Sequence, residues 1–180
     1  MKFPKLHLAC STDDWRPAIQ CVQIGKEFTF ATDAHICVRH KTSELFDQKF
    51  MESLPDDPIL VPWKAFAYVI QKATESVSLS DDKKSFQIHR KDGSIWSYRL
   101  FTDVSYVNAN SVFPDPANGK PVEEIGLNSN LLDRLTDAMG CDIPIIRMKF
   151  YGDTNAILVT SKHTDYPSAS GVIMPRAWNY

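Results

Sequence analysis

The chain has 180 residues, a formal net charge of −2, and 43% hydrophobic against 23% charged residues. That length supports one large domain or two small ones around a real core, and the composition is ordinary globular usage. The slight acidity argues against a protein that grips nucleic acid tightly, because such proteins are basic. Eleven prolines against seven glycines also disfavour a glycine-rich nucleotide-binding fold.

In chain order, Leu6–Cys10 is predicted as a short strand. Ser11-Thr12-Asp13-Asp14 offers capping side chains for a helix through Trp15, Ala18 and Ile19. Cys21–Ile24 and Glu27–Ala31 flank Gly25-Lys26, a hairpin signal, and a third strand runs from Ile36 to Arg39. Thr42 to Pro58 is polar, contains prolines and is expected to be a connection. A second run begins with the strand Ile59–Val61 and continues in a helix over Trp63–Ala73, with Phe66, Val69 and Ile70 on one stripe. Ser76–Ser80, Phe86–His89 and Ile95–Leu100 then alternate with period two, and Asp92-Gly93 turns between the last two. Pro114–Pro121 is the clearest linker. Beyond it come a strand at Glu123–Leu127, a helix over Leu131–Met139 capped by Asn128 or Ser129, paired strands at Arg147–Tyr151 and Ala156–Thr160, and a final strand at Gly171–Met174.

The pattern is βαβββ, used three times. It predicts an α+β fold with antiparallel sheet on one side and short helices on the other. The expected division is 1–115, a linker at 116–121, and 122–180.

Signals for chemistry are few. No G-x-S-x-G, P-loop or H-E-x-x-H occurs. Asp33 and His35 would share one face of a strand, but two ligands are too few for zinc; a turn-forming Asp33 and a rim His35 are the plainer reading. Cys10, Cys21, Cys37 and Cys141 show no C-x-x-C spacing and read as buried thiols of a reducing cytoplasm. No apolar run nears the roughly 18 residues that span a bilayer, so no membrane association is expected. Trp15, Trp63, Trp96 and Trp178 invite base stacking, though packing is the commoner role for so few. No catalytic residue, metal or cofactor is expected.

Five segments, in this order, resemble the bacterial DNA polymerase sliding clamp, the β clamp or processivity factor. Ala31-Thr32-Asp33-Ala34-His35 is similar to that family's Ala-Thr-Asp-Gly-His segment, and Val61-Pro62-Trp63-Lys64 to its Val-Pro-Arg-Lys helix start. Tyr106-Val107-Asn108 with Val112-Phe113-Pro114 resembles its Phe-Pro-Asp-Tyr and Val-Leu-Pro run. Glu124–Asn128 and Ile173-Met174-Pro175-Arg176 resemble its C-terminal half. The match covers the family's middle domain over about 6–114, then the second half of its last domain over about 122–176. The family's first domain, and the first half of its last, have no counterpart here.

The resemblance implies a non-catalytic, cytoplasmic DNA replication or repair accessory protein. Peptides of polymerases or repair proteins would dock in a hydrophobic groove formed by Thr32, Ala34, His35, Pro62, Met174, Pro175 and Arg176, with Val61 and Cys37 as supporting wall. It also implies a homo-oligomer that encircles duplex DNA non-specifically. Arg16, Lys64, Lys72 and Arg134 are the cations available to face DNA, although Asp13, Asp14, Glu75, Asp133 and Asp137 beside them fit ordinary solvated faces as well. Three departures stand out. Ile36 stands where the family usually has Arg, and Ala34 replaces its Gly. At the C-terminus Arg176-Ala177-Trp178 replaces Met-Arg-Leu, so a groove methionine is missing or is replaced by Trp178. Two other readings stay open: a stand-alone interaction or regulatory module with a clamp fold and no DNA binding, and a small enzyme on an unrelated α+β fold.

Overall fold

A computed structural model describes residues 3–143 and 145–176. Among the described residues ten strands form two antiparallel sheets, accompanied by four short α-helices. β1 (Cys21–Ile24), β2 (Phe28–Thr32) and β3 (Ile36–Lys41) form a meander. Its first turn closes through Gly25, whose N–H donates to the Phe28 carbonyl at 3.0 Å. α1 (Thr42–Leu45) and α2 (Gln48–Ser53) follow, then β4 (Ile59–Pro62) and α3 (Trp63–Val69). β5 (Thr74–Leu79), β6 (Ser85–Arg90) and β7 (Ile95–Arg99) make the smaller sheet. After a long irregular segment come α4 (Ser129–Ala138), β8 (Arg147–Lys149), β9 (Ile157–Thr160) and β10 (Ser170–Ile173).

The large sheet runs β4-β1-β2-β3-β10-β9-β8, so the last strand in sequence lies beside β3. Val172 is opposite Cys37, and Ile173 is opposite Ile36. Because side chains alternate along a strand, the two faces of this sheet have separate cores. Ile24, Ala31, Val38, Val159 and Ile173 face α3, α4 and the β5–β6 side chains Val77, Phe86 and Ile88. On the opposite face Phe30, Cys37, Leu158 and Val172 are covered by Tyr106, Ala109 and Phe113 from the irregular segment. That segment therefore acts as a lining for the outer sheet face, and it makes the site described below.

Several local expectations are corrected. Leu6–Ala9 is a 3-10 turn and not a strand. Its buried residues, Leu6 and Ala9, are three apart, the period of a 3-10 turn, where a strand would need two. The helix expected through Trp15 is only a 3-10 turn over Pro17–Gln20. Asp13 accepts from the Trp15 N–H at 3.0 Å in a local turn, and Trp15 projects outward, 92% exposed. The connection Thr42–Pro58 contains α1 and α2: Asp47 caps α2 by accepting from the Phe50 N–H at 2.9 Å, and Phe46, Phe50 and Leu54 are buried at helical spacing. Glu123–Leu127 forms no regular strand; a single antiparallel bridge joins Gly126 to Arg176. The helix begun by Trp63 stops at Val69, well short of Ala73.

Candidate peptide groove

The turn between β2 and β3 is built by its own side chains. Asp33 Oδ1 accepts from the N–H groups of His35 (2.8 Å) and Ile36 (2.9 Å), while Thr32 Oγ1 donates to the Ile36 carbonyl (2.6 Å) and accepts from the Ala34 N–H (3.1 Å). Ala34 is thereby held at φ 75°, a left-handed conformation that disfavours any side chain. The other carboxylate oxygen of Asp33 lies 2.8 Å from Arg134 Nη2 of α4, and Arg134 Nε donates to the Leu8 carbonyl at 2.8 Å. The Met174 N–H donates to the His35 carbonyl at 2.9 Å, which ties the end of β10 to the same turn.

Beside this turn lies a groove of about 640 Å³. Thr32, Cys37 and Val172 stand in one row across β2, β3 and β10 and form its floor. Pro17, Ala18 and Ile19 supply one wall, and Val104, Val107 and Val112 supply another. Ala34, His35 and Met174 stand at the rim, all exposed to solvent. Val107, Val112 and Met174 are 48%, 43% and 39% exposed, an unusual concentration of uncovered apolar surface around one depression. Burial pushes the Cys37 thiol up to about 12, so at neutral pH it stays protonated and serves as an uncharged floor group.

Of the residues expected at a groove, the fold brings together Thr32, Ala34, His35, Cys37 and Met174. Val61 does not line it: its side chain is fully buried in the core on the helix face. Pro62 pairs with Cys21 on the outermost strand of the sheet, away from the groove. Pro175 and Arg176 continue past the rim, where the Arg176 N–H donates to the Gly126 carbonyl. Trp178 lies outside the described residues. The three valines of the irregular segment were not foreseen, because that segment has no period to read. Val172 was open to inference, since it stands two residues before Met174 on the same strand face.

A second, more polar cleft of about 620 Å³ adjoins the first across Arg16 and His35 and is also lined by Trp63, Asp33 and Arg134. Of the cations expected to face DNA, Arg134 is half-buried and paired with Asp33, and Arg16 stands exposed between the two clefts. Lys64 lies 5.9 Å from the Trp63 ring, and Lys72 is exposed. Among the described residues no cluster of three His, Cys, Asp or Glu side chains forms a metal site, and no helix is long and apolar enough to cross a membrane.

No family model and no curated protein matches the chain by sequence. Solved structures do match it by fold. The Helicobacter pylori β clamp bound to a DNA ligase peptide superposes with a TM-score of 0.72 at 11% identity, over 98% of this chain and 64% of the clamp. The Borrelia burgdorferi DNA polymerase III β subunit matches at 0.66 and 14% identity (97% and 61% covered), and the Bacillus subtilis sliding clamp at 0.64 and 14% (98% and 64%). The chain thus has a clamp-like α+β fold of antiparallel sheets with few short helices, and spans less than two thirds of the length of these clamps.

Proposed function

We propose that this chain is a non-catalytic, clamp-fold binding protein of DNA replication or repair. It works in the cytoplasm by holding a linear peptide of a polymerase or repair protein in the Thr32–Cys37–Val172 groove. In this reading 1–115 takes the part of a middle clamp domain, 116–121 is a linker, and 122–180 takes the part of half a domain, whose β10 joins β3 in one sheet. The observation that carries it is the groove itself: an apolar floor and walls, with the polar groups of His35 and Arg16 at the rim, is what peptide recognition needs. The ligase peptide on the Helicobacter clamp adds support from fold alone.

The test is fluorescence anisotropy with a labelled clamp-binding peptide of a DNA ligase. Saturable binding that weakens about tenfold or more in His35→Ala/Met174→Ala supports the reading, a loss in the range of interface hot spots. Binding unchanged in that double variant would sink it.

Two versions of this function differ in their relation to DNA. One is a homo-oligomeric ring around duplex DNA, and the other is a stand-alone module that holds peptides only. The internal pairing of Arg134 with Asp33 favours the module, because it removes one of the four cations available for phosphate contact. Light scattering behind a sizing column separates them: a defined oligomer large enough to close favours the ring, and a monomer favours the module.

A further inference from the structure

On the same outer face of the large sheet, a neighbouring row holds a different kind of chemistry. Arg39 of β3 is opposite Ser170 of β10, Ser170 is opposite Thr160 of β9, and Thr160 is opposite Arg147 of β8. The Arg39 guanidinium carbon lies 4.3 Å from the Phe113 ring centroid and 5.0 Å from that of Phe28. These rings hold the guanidinium by its π-attraction but satisfy none of its N–H groups. Among the described residues the guanidinium has no carboxylate partner, and its Nε is buried without a hydrogen bond. Ser170 is 8% exposed, and its hydroxyl too is buried without a partner. Both residues line one cleft of about 500 Å³, with Thr160, Leu158 and Phe113.

Two unpaired polar groups side by side are costly unless something meets them. Two nearby carboxylates are already engaged, and a third, Glu27, favours the charged guanidinium through its field without forming an ion pair with it among the described residues. Asp115, also in the cleft lining, accepts from the Ala117 N–H (2.8 Å) and from Asn118 Nδ2 (3.3 Å), and Glu44 accepts from the Ser168 hydroxyl at 2.7 Å. A planar guanidinium with free N–H groups beside a hydroxyl donor suits an oxyanion.

We propose that the Arg39–Ser170–Thr160 row is a binding site for an organic anion. Its carboxylate or phosphate group meets the Arg39 guanidinium and the Ser170 hydroxyl, and its apolar body lies on Phe113 and Leu158. Arg147, exposed at the open end of the row, draws the anion in. This site does not depend on the peptide reading, since Arg39 and Ser170 are not part of that groove.

The test is isothermal titration of the full chain with phenyl phosphate, phenylacetate and inorganic phosphate. We expect saturable binding of at least one phenyl anion, with inorganic phosphate about tenfold weaker because it leaves the apolar lining unused. Arg39→Gln should weaken that binding about tenfold or more, and Ser170→Ala about threefold. Val107→Asp, in the peptide groove, should leave it unchanged. If Arg39→Gln does not fold by circular dichroism, Ser170→Ala carries the test. Failure of both phenyl anions to saturate the wild-type chain overturns the proposal. So does binding that is unchanged in the variants, or equal affinity for inorganic phosphate.

Discussion

Arg134 on α4 reaches Asp33 across 2.8 Å, so the helix of the last third of the chain pins the turn that frames the proposed peptide groove. Asp33 spends its other oxygen on the His35 and Ile36 N–H groups. Arg134→Met should therefore cost roughly 1.5–3 kcal/mol, the range for hydrogen bonds to charged groups, and should weaken peptide binding although Arg134 does not line the groove. Urea unfolding and anisotropy on the same variant check both effects. Full stability and full binding would show that the turn holds without its anchor.

Ala34 carries a side chain at φ 75°. A left-handed residue other than glycine costs roughly 1–2 kcal/mol, and part of that is offset by the greater freedom of glycine in the unfolded chain. Ala34→Gly should be neutral to about 1 kcal/mol stabilising, and Ala34→Val should be clearly destabilising. Thermal unfolding midpoints of the two variants test the sign.

His40 is fully buried; its Nε2–H donates to the Ala138 carbonyl at 2.9 Å, and its ring stands edge-on to Tyr166. A second proton on Nδ1 would find no acceptor among the described residues. Burial lowers its pKa from 6.5 to about 4, against smaller opposing effects of the Ala138 bond and Glu44. The unfolded chain therefore binds the extra proton first. Stability should be full above pH 6.5 and fall as pH drops from there toward 4, by about 3 kcal/mol in all. His7, also lowered by burial, acts in the same direction. Denaturant unfolding across this range should slope downward on acidification, and His40→Gln should flatten the slope.

Gly171 on β10 faces α4, and a Cβ there would stand 2.6 Å from Leu135 Cδ1 and 2.9 Å from Cγ. Leu135 is itself fully buried and cannot swing away. Gly171→Ala should cost about 1–3 kcal/mol, as overpacking does, and the double variant Gly171→Ala/Leu135→Ala should cost less than the sum of the two single losses. A double-mutant cycle by urea unfolding reads the coupling.

The strands were legible where period two met a turn residue. Gly93, at φ 82°, sits where the Asp-Gly signal placed it, between β6 and β7. α2 was missed although Asp47 and the Phe46, Phe50, Leu54 spacing were open to reading; its polar neighbours diluted the stripe. The groove was only partly legible. Thr32, Ala34 and His35 come from one continuous turn, but Val104, Val107 and Val112 lie in a segment whose course is set by the sheet it covers. Placing Val61 and Pro62 in one groove overlooked alternation, because adjacent strand residues face opposite sides. The Arg39–Phe113 contact could not be foreseen, since it joins β3 to that same irregular segment.

The most direct measurement is backbone amide shift mapping of the isotopically labelled chain with the ligase-type peptide. The account predicts shifts concentrated at Ile19, Ala34–Cys37, Val107–Val112 and Met174, with β5–β7 unmoved. Shifts that avoid the groove, or no shifts at saturating peptide, would contradict it.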